Sequence, residues 1–113
     1  MNKMPFFFFS VVLFVSVHGI FAADSPGQHW DMANAYSRNG EYRNAMIQYD
    51  LAISLCKKTG KEVPYYLYTG AGYTALLKLH DRERAVGYFI AICGGPYSRE
   101  QKDGVVGELA NAL

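Results

Sequence analysis

Apolar residues recur along this chain in two different rhythms. From Phe6 to Val17 they run almost unbroken, interrupted only by Ser10 and Ser16. From Trp30 onward they return at intervals of three and four, the spacing that lines one face of an α-helix. The clearest stretch is Glu41 to Lys58, where Tyr42, Ala45, Met46, Tyr49, Ala52, Ile53 and Cys56 form one stripe. Ile47, Leu51 and Leu55 form a second stripe on nearly the opposite side. A helix apolar on two opposed sides needs neighbours on both, which predicts a stack of helices rather than a simple bundle.

Punctuation residues divide the rest into about five helices. Ser25, Pro26 and Gln28 carry the cap, the first-turn proline and the third-position amide of a capping box, and a helix follows to Asn39. Gly40 supplies a left-handed stop, and the second helix opens at Glu41, an acid where the helix dipole favours one. Lys57, Lys58 and Gly60 close it. Thr59 to Val63 is a linker, and Pro64 opens a third helix, Tyr65 to Leu79, polar only at Thr69, Thr74 and Lys78. Its Gly70 and Gly72 each cost about 1 kcal/mol relative to alanine, which close packing against the preceding helix would offset. Asp81 caps a fourth helix, Arg82 to Cys93, stopped by Gly94, Gly95 and Pro96. Ser98 and Gln101 form a second capping box, ahead of a last helix with Val105, Val106, Leu109, Ala110 and Leu113 on one face.

The order of small and aromatic residues in the first two helices is distinctive: Ala33, Tyr36, Gly40, Tyr42, Ala45, Tyr49, Ala52. The alanines let two backbones approach, and the tyrosines fill the gaps beside them. This order resembles the tetratricopeptide repeat. Ala85 and Phe89 repeat the spacing of Ala45 and Tyr49, 40 residues later, against about 34 in that family. Tyr68 and Gly72 align to the aromatic and small positions with a one-residue insertion. The likeness covers about Gln28 to Gly94 and implies an all-α chain, a short right-handed α-α superhelix. Repeat one would span about 28–58, repeat two about 64–94, and a capping helix about 98–113. About three repeats are usually needed for a continuous core, so the last helix would act as a lid, or another copy or a partner would complete the stack.

The apolar run at the start has the anatomy of a secretory signal peptide: Lys3 in a short polar head, an apolar core of about a dozen residues, then Ala22 and Ala23. Residues 1–22 are therefore expected to be removed, leaving 23–113 as one exported domain, periplasmic, secreted or lumenal. An uncleaved anchor is the alternative and the only route by which a membrane enters the picture. Cleavage takes Lys3 from the 11 lysines and arginines and none of the 10 acidic residues, leaving 10 of each. A neutral domain with no basic stripe gives no electrostatic reason to expect nucleic acid as a partner.

The titratable residues suggest no catalytic constellation. His29 with Asp31, and His80 with Asp81, do not converge on one helical face. Gly70-Ala71-Gly72 lacks a phosphate-loop lysine and hydroxyl. No metal, cofactor or enzymatic activity is expected. The resemblance instead implies a concave face, lined by the first helix of each repeat, that receives a peptide or a partner helix. Carried onto this chain, it would comprise Trp30, Asn34, Ser37 and Arg38 from the first repeat and Thr69 and Tyr73 from the second, with Leu77 beside them. Trp30, Asn34 and Arg38 step by four and share one face in any case. Asn34 could bond a peptide backbone, Arg38 a carboxylate, and Trp30 or Tyr73 could pack an apolar group. Against this stand a core role for Trp30 and a solvated one for Arg38. Trp30 also takes the place of a lysine with which some family members grip a C-terminal carboxylate, so that specialisation is not expected.

In such a stack Cys56 and Cys93, each near the end of a second helix, lie on the same side. A disulfide between them and a pair of small buried thiols are both open readings. The expected function is an exported binding module or scaffold for a protein or peptide. Self-association as a homo-oligomer, or regulation of one secreted partner, is the alternative.

Overall fold

In the computed structural model residues 25–113 are described; the expected signal segment lies outside them. Five helices follow in chain order: α1 Pro26–Arg38, α2 Tyr42–Lys58, α3 Tyr65–Tyr73, α4 Arg82–Cys93 and α5 Arg99–Ala112. The described residues are all helix and connection, with no strand among them. A π-helical turn, Thr74–Lys78, extends α3. Each helix packs on the next, so α1 with α2 and α3 with α4 form two successive hairpins and α5 lies along α4.

The caps account for the helix ends. The Ser25 hydroxyl accepts from the Gln28 N–H at 3.3 Å. Gln28 does not reach back to the Ser25 backbone; its Oε1 accepts from the Ser25 hydroxyl instead, so the first capping box is only half made. The second is complete, with Gln101 N–H on Ser98 Oγ and Ser98 N–H on Gln101 Oε1. Gly40, at φ +76, closes α1. Glu41 N–H bonds the Tyr36 carbonyl and Gly40 N–H that of Ser37, the paired bonds of a Schellman motif. Gly60 closes α2 in the same way, through Lys61 to Cys56 and Gly60 to Lys57.

The core follows the small and aromatic stripe. Ala33, Ala45, Ala52, Ala71, Ala75 and Ala85 are fully buried, and around them lie Tyr49, Leu67, Phe89 and Ile92. Each large side chain removed from water in this way contributes roughly 1.5–3 kcal/mol. The two helical glycines of α3 serve different neighbours. A methyl on Gly70 would stand 2.8 Å from the Tyr49 ring of α2, and one on Gly72 2.6 Å from the Phe89 ring of α4. Only the first of these is the preceding helix anticipated from the sequence.

Two apolar patterns need correction. The second stripe of α2 lacks the packed neighbour expected of it: Ile47 and Leu51 are 54% and 44% exposed, Leu55 is half-buried, and Ile47 only borders Leu79, Asp81 and Arg84 across an open recess. On α5 the inward residues are Val105, Leu109 and Ala112, whereas Val106, Ala110 and Leu113 are exposed. The helix is rotated so that its thinner apolar stripe meets α4.

Across the seam between α2 and α4, Asp50 accepts from both Arg84 and Tyr88, and Arg84 Nε donates to the Tyr88 hydroxyl at 3.2 Å. This joins the second helices of the two hairpins. Burial, then the bond to Asp50, pushes the Tyr88 phenol up to about 12. At the far end, the Tyr97 hydroxyl donates to the Val63 carbonyl at 2.6 Å and ties the α4–α5 loop to the α2–α3 linker.

Candidate functional site

The ends of α1 and α3 come together over the start of α2. Between them is a recess of about 330 Å³, walled by Ser37 and Arg38 of α1, Tyr42 of α2, Tyr73 of α3, and Thr74, Leu77 and Lys78 of the π turn. Four residues anticipated for a partner surface, Ser37, Arg38, Tyr73 and Leu77, thus line one site with contributions from both hairpins.

The other three stand outside it. Trp30 packs edge-on against Tyr66 of α3, ring centres 4.8 Å apart, and holds the seam between the two first helices. Asn34 is committed to α2, its Oδ1 accepting from the Tyr49 hydroxyl at 3.3 Å. The Thr69 hydroxyl donates to the Tyr66 carbonyl of its own helix at 3.2 Å. Tyr42, Thr74 and Lys78 were not anticipated. A signal for Lys78 was present, because it follows Arg38 by 40 residues, the interval that separates Ala45 from Ala85.

The chemistry of the recess is cationic and partly apolar. Lys78 Nζ lies 5.4 Å from the centre of the Tyr42 ring, a cation–π contact worth about 0.5–1 kcal/mol at an exposed site. Tyr73 stands edge-on to Phe89, centres 5.5 Å apart. Burial, with the nearby Glu108 charge second, raises the Tyr73 phenol above its usual value, so at neutral pH it stays protonated. Leu77 is 59% exposed, an aliphatic side chain left bare beside two cations.

No family model, curated protein or solved structure matches the chain.

A second recess, about 380 Å³, lies where α2 and α4 begin, lined by Arg43, Met46, Ile47, Leu79, Asp81 and Arg84. Its charges are largely spent internally. Arg84 is paired with Asp50, and the Asp81 carboxylate caps α4 by accepting from the Arg84 N–H at 3.2 Å. That leaves Arg43 as the one cation of this rim without an ion-pair partner among the described residues, against two at the Arg38–Lys78 recess.

Cys56 is buried at the end of α2 and Cys93 half-buried at the end of α4, and both are free thiols. Burial raises the Cys56 thiol above its ordinary value, which disfavours the reactive thiolate.

Proposed function

We propose that this protein is an exported, non-enzymatic binding module. In this reading the hairpins form a short right-handed α-α superhelix like that of tetratricopeptide repeats, and the surface made by the first helices captures a protein or peptide. Export rests on the pattern of the first 22 residues. Binding rests on one observation: Ser37 and Arg38 from one hairpin and Tyr73 and Lys78 from the other converge on a single open recess. Groups brought together from distant parts of the chain, with the exposed aliphatic Leu77 among them, are what a recognition surface requires.

The test is selection of peptides from a random displayed library against the full protein, followed by competition with Arg38→Glu and Tyr73→Ala variants. Selected peptides should lose binding to both variants while helicity measured by circular dichroism is unchanged. Peptides that bind all three proteins equally would remove the recess from the function.

Self-association is a second reading favoured by a specific feature. Met32, Ala35 and Tyr36 of α1 line a shallow apolar recess, and Ile47 and Leu51 stand bare on α2. Light scattering on the eluting protein separates the two, since a stable monomer at high concentration would eliminate the assembly role.

A further inference from the structure

We infer that the occupant of the α1–α3 recess is an acidic segment of another protein, carrying a carboxylate next to an aliphatic side chain. This rests on the reading of the recess as a binding site and adds the chemistry of what it binds. The argument begins with charge. Arg38 and Lys78 both line the recess, no carboxylate does, and among the described residues neither cation has an ion-pair partner. The nearest acid in sequence, Glu41, is turned onto its own helix, where its carboxylate accepts from the Asn44 amide at 3.3 Å.

Two helix ends oppose this positive charge, because α1 and the π turn both finish here. A helix C-terminus carries about half a negative charge, so two of them offset roughly one of the two cations; the start of α2 at Tyr42 adds about half a positive charge, and Glu108, near enough for its charge to act on Tyr73, opposes part of the rest, which leaves a small positive excess. That remainder suits a single carboxylate. It is too small for nucleic acid, whose binding depends on neutralising several phosphates.

The apolar side of the recess makes the second half of the argument. Leu77 is 59% exposed, and Tyr73 and Tyr42 stand beside it half-buried. A free inorganic anion would gain nothing from that surface, whereas a peptide side chain laid on Leu77 and Tyr73 would take it out of water.

The probe is a fluorescein-labelled peptide of four Glu-Leu units, compared with one in which glutamine replaces each glutamate and one in which serine replaces each leucine. Each is titrated into the full protein and into Lys78→Glu and Arg38→Glu variants. The Glu-Leu peptide should bind at least about tenfold more tightly than either substituted peptide, and either variant should cost a similar factor. Its binding should weaken on going from 0.1 to 1 M salt, where the screening length falls from about 10 Å to about 3 Å. Lys78→Glu should in turn favour a Lys-Leu peptide, a reversal that a merely structural lysine would not produce. Equal binding of the glutamine peptide, or indifference to Lys78→Glu, overturns the inference. Should library peptides seat in the recess yet prove neutral or basic, the inference fails and the binding-module reading stands. Should no peptide of any kind seat there, the binding-module reading itself fails. A protein that is dimeric until Lys78→Glu makes it monomeric would identify a second copy as the occupant and overturn the separate acidic partner.

Discussion

The two hairpins solve one problem with different chemistry. In the first, α1 ends on Gly40, and the Glu41 N–H reaches back five residues to Tyr36. In the second, the equivalent corner is His80, also left-handed at φ +54, and the Asp81 N–H reaches back six residues to Ala75. The second hairpin thus carries one residue more, and the π turn from Thr74 to Lys78 is where it is taken up. Had the helix stayed α-helical, one added residue would have turned everything after it by about 100°. Widening the turn keeps Thr74 and Ala75 buried and leaves Leu77 and Lys78 at the recess. The irregularity of the second hairpin is therefore what builds half of the candidate site.

The hairpins also differ in how closely the first helix meets the second, and this gives the largest expected effect. Ala33 of α1 is fully buried with its methyl in place, whereas Gly72 of α3 leaves no room for one beside Phe89. Gly72→Ala should lower stability by up to about 2 kcal/mol, an overpacking cost of about 1–3 less a helix-propensity gain of about 1. Urea denaturation followed by circular dichroism measures it, and adding Phe89→Leu should recover part of the loss. Gly87→Ala on α4, where a methyl meets nothing within 4 Å, should instead stabilise by about 0.5–1 kcal/mol. A stabilised Gly72→Ala protein would contradict the close approach of α3 to α4.

The two corners should respond with opposite signs. Gly40→Ala places a β-carbon at φ +76 and should cost about 1 kcal/mol, while His80→Gly relieves the same conformation and should gain about 0.5–1 kcal/mol. The midpoint of urea unfolding at constant slope reads both. A loss on His80→Gly would mean that the imidazole makes a contact that outweighs the backbone strain.

Alkaline pH probes the seam that joins the hairpins. Tyr88 in the seam and Tyr97 in the α4–α5 loop are both pushed up to about 12 by burial, from an ordinary value of 10.0. Between those values the unfolded chain releases these protons and the folded chain keeps them, so stability falls as pH rises from 10 to 12. Below pH 10 both states hold the protons and the contribution is constant. Thermal melts across this range should show the decline, and the Tyr88→Phe, Tyr97→Phe double variant should flatten it. An unchanged slope would show that neither phenol is protected.

How far the chain could be read depended on how local the cause was. The Ser98–Gln101 box, the Gly40 stop and the Ala45, Tyr49, Ala52 stripe rest on neighbours within one or two turns, and they stand where the spacing placed them. Lys78 stands at the interval that relates the two hairpins, but its place opposite Arg38 depended on the π turn. Trp30, Asn34 and Arg38 share a face by helical spacing, yet only Arg38 lines the recess, since Tyr66 and Tyr49 engage the other two.

The amino-acid order alone determined that residues 25–113 are helical, where their helices stop and which small and aromatic residues face inward, because capping and amphipathic burial act over a few residues. Only the tertiary structure decided that Asp50 joins Arg84 and Tyr88, that α5 turns Val105 rather than Val106 inward, and that Arg38 and Lys78 open on one recess. Those outcomes depend on which surfaces meet across tens of residues, and the same periodic pattern is compatible with several such meetings.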